Sequence, residues 1–250
     1  MLYSKVSLRA ICTTSAVRRV WSVYFDKYER THPIHGKKPK FCDLNDAFTH
    51  IKSGDNVYVH GIAASPTPLL KGLCDYVKAN DIKGLKLHHI HLEGETPWTA
   101  EDMRSRIRSN SLFTGVNLRN AVEEGIADFN SCFLQEIPLL FRKGAIKLNA
   151  ALIHVSPPDA YGYCSLGTSV DTTRAAIGNA DHNMPRTLGD GVIHSSNIDV
   201  VVEDHTFPLH ERHVGEQNKE EQKIGKIIAE NLVEDGATLQ MGKILSIKIA

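Results

Sequence analysis

The stretch NVYVHGIAASPTPLLKGLCDYV, residues 56–77, sets the strongest limit on what this chain can fold into. A short run of β-branched and aromatic residues gives way to a loop of small residues. Leu69, Leu70, Leu73 and Val77 then recur at helical spacing. Pro66 suits a first helical position, where a missing amide proton costs nothing, and Ser65 suits the cap before it. This is a strand–loop–helix unit, and the alternation repeats. LKLHHIHLEG is expected as a strand with Leu85, Leu87, His89 and His91 on one side. TAEDMRSRIRSN is expected as a charged helix behind Pro97, and Leu118, Val122, Ile126 and Phe129 stripe another helix. IKLNAALIHVS is apolar on both faces, which predicts a central strand of a parallel sheet, ended by the prolines that follow. Asp43 to Ile51 reads as a short helix, Asp171 as the cap of a helix through TTRAAI, and IDVVVED as a further buried strand. Glu220 to Val233 reads as a helix with Ile224, Ile227, Ile228 and Leu232 inside and Gly236 closing its end. Together these predict an α/β fold, a mainly parallel sheet with flanking helices, whose ligands gather at the carboxyl ends of the strands.

Charge and cysteine usage narrow the function. Lys plus Arg equals Asp plus Glu at 29 each, so no net field points to nucleic acid or an anionic membrane, and small molecules become the expected partners. The five cysteines are odd in number and lack any CxxC spacing, which argues against both a disulfide framework and a zinc ribbon. No apolar run approaches the roughly 18–20 residues needed to cross a bilayer. Residues 1–20 carry Lys5, Arg9, Arg18 and Arg19 with no acid, a composition suited to a mitochondrial transit segment or, more plainly, to a frayed terminus. Residues 21–40, polar toward their end and holding Pro33 and Pro39, read as a linker or surface arm.

Several stretches bear on chemistry. HGIAASP, from His60 to Pro66, lets a backbone approach a phosphate or thioester, but lacks the Lys of a Walker loop and the three glycines of a dinucleotide fingerprint; ligand loop and tight turn both remain open. YGYCSLGT, from Tyr161 to Thr168, mixes glycine with hydroxyls after a predicted strand and is a second plausible substrate floor. Its Cys164 has no particular His or Asn tied to it and reads as a small buried hydrophobe. Arg186, between Pro185 and Gly189, either grips a carboxylate through two parallel hydrogen bonds or pins its own loop by a salt bridge. In HHIH only His89 and His91 can share a strand face, and the sequence places no carboxylate with them, so no metal site is expected. Glu93 and Glu95 read as solvated turn carboxylates, and KEEQKIGK as a solvated helix face.

Taken in order, HGIAASPTPLL, RNAVEEGIADF with IPLLF, ALIHVSPPDAYGYCSLGTSVD and MPRTLGDGVIH resemble the amino-terminal domain of the acetyl-CoA hydrolase and CoA-transferase family, which includes acetate and 4-hydroxybutyrate CoA-transferases. The likeness spans roughly residues 40–242. It implies a CoA-transferase-type first domain over residues 41–235, followed at 236–250 by the truncated start of a second domain with a divergent tail. It also implies transfer of coenzyme A between an acyl-CoA and a carboxylic acid in acetate metabolism, through a glutamyl thioester, with no tightly bound cofactor. By resemblance the substrate and CoA would meet Gly61, Ala63, Ser65, Ser165, Gly167, Thr168, Pro185, Arg186 and Thr187, with no metal. The expected partners are acyl-CoA and small carboxylates, with no nucleic acid and no membrane. Pairing would be with a second copy or with a chain bearing the second domain.

Two departures accompany the resemblance. The family's nucleophilic glutamate would lie beyond Leu239–Gly242, where this chain reads KILSIKIA, so no catalytic residue is assigned here. The chain is then expected to be inactive alone: the first half of a transferase or hydrolase, or a non-catalytic CoA-binding or subunit-interaction fragment. GNADHN also joins the helix after SVD directly to MPRT, where relatives carry a short apolar strand. Losing such a strand would remove about 7–12 kcal/mol of burial and ladder bonding, against whole-domain stabilities of about 5–15 kcal/mol. A marginal fold is expected unless neighbouring strands close the gap.

Overall fold

A computed structural model describes residues 33–179, 191–204, 206–211 and 218–238. The chain divides into two units, Met1–His210 and Glu211–Ala250.

In the first unit, strands β1 (Lys40–Phe41), β2 (Asn56–Val59), β3 (Leu85–His89), β4 (Ile107–Ser111), β5 (Asp128–Phe129) and β6 (Ala150–Leu152) are followed by β7 (Tyr163–Ser165), β8 (Val192–His194) and β9 (Val200–Val201). Five of them form one sheet in the order β5-β4-β3-β2-β6. Every pairing in it is parallel, with Tyr58 opposite His88 on one side and Ala151 on the other. The two-residue period of β2 explains the layering. Val57 and Val59 enter a core with Leu70, Leu73 and Val77 of helix α1 (Thr67–Ala79), while Tyr58 enters a second core on the opposite face. There it meets Phe141 of helix α3 (Ile137–Arg142), which follows α2 (Arg119–Glu123), and Ala175 and Ala176 of helix α4 (Thr173–Asn179). Buried on both faces at β2 and β6, the sheet agrees with the expectation of a parallel α/β fold.

Several local expectations change. Helix α1 begins at Thr67 rather than Pro66, and Ser65 does not cap it. The Asp43–Ile51 helix is reduced to a 3₁₀ turn, Leu44–Asp46, over which α1 packs so closely that a side chain at Gly72 would strike Leu44. The charged helix expected at TAEDMRSRIRSN is instead two 3₁₀ turns, Pro97–Thr99 and Glu101–Met103, and then β4. That strand alternates as a strand should, but its inward residues after Ile107 are Ser109 and Ser111, so its period carries no apolar signal. The stripe from Leu118 to Phe129 yields only a 3₁₀ turn and the five residues of α2. Gly125, at φ 72°, follows it, and Phe129 is drawn into β5.

IKLNAALIHVS forms β6, but at the end of the strand order instead of the centre. The arm before residue 41 is not wholly a linker. Its last residue belongs to β1, which pairs in parallel with β9, so that IDVVVED is a short, half-buried strand rather than a buried one. In the second unit, helix α5 (Lys219–Leu232) starts at a capping box between Asn218 and Glu221. Ile224, Ile227 and Leu232, expected inside, are exposed among the described residues, and Gly236 sits in a turn after the helix rather than at its cap. No helix among the described residues is long and apolar enough to cross a membrane.

Candidate functional site

The carboxyl ends of β2, β3 and β6 lie side by side at one mouth, and Tyr58 of β2 with His60 just after it hold that mouth together. His60, fully buried, accepts a hydrogen bond at Nδ1 from the His154 amide at 3.2 Å. Its proton must therefore sit on Nε2, which donates to the Ser169 carbonyl at 2.6 Å. Burial pushes its pKa down to about 4, so the ring is neutral in a single tautomer at neutral pH. Two positions earlier, the Tyr58 hydroxyl lies 3.0 Å from Thr172 Oγ1 and 2.8 Å from Thr173 Oγ1. Burial, followed by the nearby Asp171 carboxylate, pushes this phenol's pKa up. One strand thus clamps both the exit of β6 and the segment leading into α4.

Asp171, expected as the cap of this helix, lies one residue before the cap position because α4 starts at Thr173, and it steadies the helix start from there. Its Oδ1 accepts from the amides of Thr172 and Thr173, the latter at 3.2 Å, at the start of α4. Arg174, buried, donates from Nη1 to the Val192 carbonyl at 2.8 Å and ties α4 to β8.

The HGIAASP loop is more constrained than its small residues suggest. A Cβ at Gly61 would lie 2.7 Å from Ile90 Cγ1 and 3.0 Å from the His91 carbonyl, so only glycine lets β2 and β3 leave the sheet this close together. Ile62 adopts φ 56°, a left-handed conformation that costs a β-branched residue of order 1–3 kcal/mol and that clusters at ligand-facing positions. It is held there by its amide donating to the His91 carbonyl at 2.7 Å. The Ala63 carbonyl accepts from the His210 amide at 3.0 Å. Ser65 is buried, donating from Oγ to the Ile62 carbonyl at 2.7 Å and accepting from the Glu93 amide at 3.0 Å. Its hydroxyl proton closes the loop on itself, and its oxygen, accepting from Glu93, staples the loop to the exit of β3.

Across the mouth, Ser165 accepts at Oγ from the Gly167 amide at 3.1 Å, and Leu166 is buried with Ile62 packed against the same core. Gly167, at φ 66°, and Thr168 are exposed. Ser169 is buried with no partner for its Oγ among the described residues. Of the sequence-derived site residues, Gly61, Ala63 and Ser65 lie in the loop after β2, while Ser165, Gly167 and Thr168 lie at and after the end of β7, with Gly167 and Thr168 presented to solvent; the His60–Ser169 bond joins the two segments. Pro185, Arg186 and Thr187 lie outside the described residues. Sequence reasoning missed His60, Tyr58 and Ile62. A histidine directly after the apolar run NVYV was the available signal, since a buried strand-end imidazole needs partners on both nitrogens.

The HHIH run divides its work. His88 Nε2 lies 2.9 Å from Asn56 Oδ1, and His89 donates from Nδ1 to the Ile90 carbonyl at 2.6 Å while Nε2 accepts from Ser109 Oγ. His91 Nε2 lies 3.1 Å from Glu93 Oε1, and Glu95 pairs with Lys71 at 2.9 Å, so neither carboxylate is merely solvated. No cluster of metal-ligating side chains occurs among the described residues. Cys164 is buried in β7, and burial raises the Cys74 thiol pKa to about 12.

Residues 26–210 match the model of the acetyl-CoA hydrolase/transferase N-terminal domain. The chain belongs to this family. It is 50% identical over 218 residues to a succinyl-CoA:acetate/propanoyl-CoA:succinate CoA transferase of Fasciola hepatica, covering 84% of this chain and 45% of that protein. It is 39% identical over 213 residues to the 4-hydroxybutyrate coenzyme A transferase of Clostridium kluyveri, covering 82% of this chain and 48% of that protein. Among solved structures, RipA from Yersinia pestis superimposes with a TM-score of 0.71 at 30% identity, over 81% of this chain and 50% of RipA. The chain thus spans about half the length of the relatives it matches, and the mouth described above lies within the matched N-terminal domain.

Proposed function

We propose that this chain is the first half of an acyl-CoA:carboxylate CoA-transferase, and that its β2–β6 mouth forms one wall of the site at which the thioester is exchanged. The 50% identity to the Fasciola hepatica transferase across 84% of this chain carries the proposal. The locked loops supply its physical content. A wall held by Gly61, Ile62 and the His60 bridge keeps its backbone fixed, as a site must when its amides are to stabilise a tetrahedral oxyanion without reorganising. The exposed Gly167 and Thr168 border the path of the acyl-CoA, and Arg186 is the proposed grip on the carboxylate.

No residue here takes the role of nucleophile. The glutamyl thioester would form on a glutamate supplied by a second half, after which a carboxylate, or water in a hydrolase, would resolve it. Coenzyme A is then a substrate rather than a resident cofactor. The basic first twenty residues would direct the protein to mitochondria.

The test is isotope exchange between acetyl-CoA and labelled succinate. Exchange is expected only when the carboxyl-terminal half of a relative is supplied with this chain. Exchange by the chain alone would show that the nucleophile lies within it, and none in either case would overturn the assignment.

A further inference from the structure

Among the described residues, the two parallel sheets of the first unit each end at an unpaired edge, and one cavity touches both edges. In a parallel ladder, successive residues turn their amide and carbonyl to opposite sides. The Leu152 carbonyl accepts from the His60 amide, so Leu152 faces β2 and its neighbours Ala151 and Ile153 face away. In β9 the carbonyls of Asp199 and Val201 accept from the amides of Lys40 and Cys42, so Val200 and Val202 face away from β1. No described strand pairs with β6 beyond β2 or with β9 beyond β1. Ala151, Ile153, Val200 and Val202 all line a single cavity of about 1000 Å³.

The sheet prescribes what would fit. Ala150 and Leu152 enter one core and Ala151 and Ile153 the other, so a strand laid beside β6 would be buried on both faces and apolar throughout, without alternation. The cavity's charged lining prescribes its flanks. Asp43, Asp46, Glu203 and Asp204 outnumber Lys40, a balance that repels the phosphates of a coenzyme A and favours basic residues. We infer that the gap between β6 and β9 is a docking slot for an extended apolar peptide segment with lysine or arginine flanks, contributed by a partner polypeptide, which completes one continuous sheet by bonding to both edges. A strand of about five residues matches the usual length of a sheet element. The slot borders the mouth proposed for thioester exchange at the exit of β6, where His154 and Ser156 line it, but its occupancy does not depend on that activity.

The experiment uses the full chain and a synthetic peptide, acetyl-Lys-Val-Ile-Val-Ile-Val-Lys-amide, with a control in which the central Val is replaced by Pro. Binding is read by fluorescence anisotropy, and edge pairing by amide hydrogen exchange. The lysine-flanked peptide is expected to bind at least tenfold more tightly than the proline control and to slow exchange at Ala151, Ile153, Val200 and Val202 at least tenfold. Glu203→Lys, at an exposed rim position, should weaken binding severalfold while leaving the unliganded exchange pattern unchanged. Strong protection of these four amides in the free chain at low concentration would show the slot already filled and would overturn the inference. So would protection that grows with protein concentration alone, which assigns the slot to a second copy, or protection by coenzyme A but not by the peptide, which makes it a small-molecule pocket.

Discussion

The two ends of β2's neighbourhood are built on opposite principles. At its carboxyl end, every side-chain polar atom of His60 and Tyr58 has a partner, a glycine admits the crossing strand, and a strained isoleucine is held in place. Beside it, beyond β6, two sheet edges face a cavity with their outward backbone groups unpaired among the described strands. A buried polar network fixes one arrangement because any broken member leaves an unsatisfied group, whereas an open edge fixes nothing until a strand arrives. The first region is fit to position a reacting group, and the second to receive a segment of chain.

The largest test of this contrast is stability. If the gap is the place of a missing strand, its absence costs about 7–12 kcal/mol, comparable with the whole stability of a domain. The isolated chain should then unfold broadly and near physiological temperature by calorimetry. Sharp two-state unfolding well above body temperature would show that the gap is not a defect.

The closed region should reveal itself through pH. Burial holds His60, His88 and His89 near pKa 4, below the value of about 6.5 they recover on unfolding. Between those values the unfolded chain binds more protons than the folded one. Stability is therefore complete above about pH 6.5 and is lost as pH falls toward 4, by up to about 3 kcal/mol for each imidazole. Urea midpoints measured across this window should fall steeply. Replacing His60 by Asn should reduce the slope near pH 5 by about 1.4 kcal/mol per pH unit; an unchanged slope would mean that His60 titrates normally.

Within the mouth, glycines sort the rigid wall from the exposed one. Gly61→Val must displace the Ile90 side chain and the His91 carbonyl, and should cost about 1–3 kcal/mol. Gly167→Asn, at φ 66° with nothing within 4 Å of the new Cβ, should cost less than half as much by the same denaturation measurement. Equal losses would contradict the division into a packed wall and a solvent-facing rim.

How much of this was legible in the sequence follows from which periods carried apolar residues. The β2–α1 unit was readable because Val57, Val59, Leu70, Leu73 and Val77 all serve one core. β4 was not, since Ser109 and Ser111 occupy its inward positions and meet polar partners, Ser109 taking the His89 ring. β1 was hidden because two residues, Lys40 and Phe41, carry no period at all, and their pairing with Val200 and Val201 is a contact across most of the chain. At the site, the loops at 61–65 and 165–168 could be named from their composition, but the bonds that join them could not. His60 reaches Ser169 across 109 residues, a distance that no local pattern encodes. Ser65 looked like a helix cap because its type and place fit one, yet the β3 loop claimed its hydroxyl first.

The far edge of the same sheet offers the smallest effect and a useful control. There Arg108 of β4 grips Asp128 of β5 in a bidentate pair, Nε to Oδ2 at 2.6 Å and Nη2 to Oδ1 at 2.5 Å, and Nη2 also donates to the Gly125 carbonyl at 3.1 Å. The pair lowers the Asp128 pKa chiefly through its hydrogen bonds with the guanidinium. Both side chains are 42% exposed, so solvent screens most of the attraction, and Arg108→Lys should cost no more than about 1 kcal/mol. Its readout is local: hydrogen exchange at Phe129 should quicken while exchange at Ala151 and Ile153 stays as it was. If exchange at β6 rose as well, the two edges would be coupled through the sheet, and the open side would owe its behaviour to the whole fold instead of to its own unpaired strands.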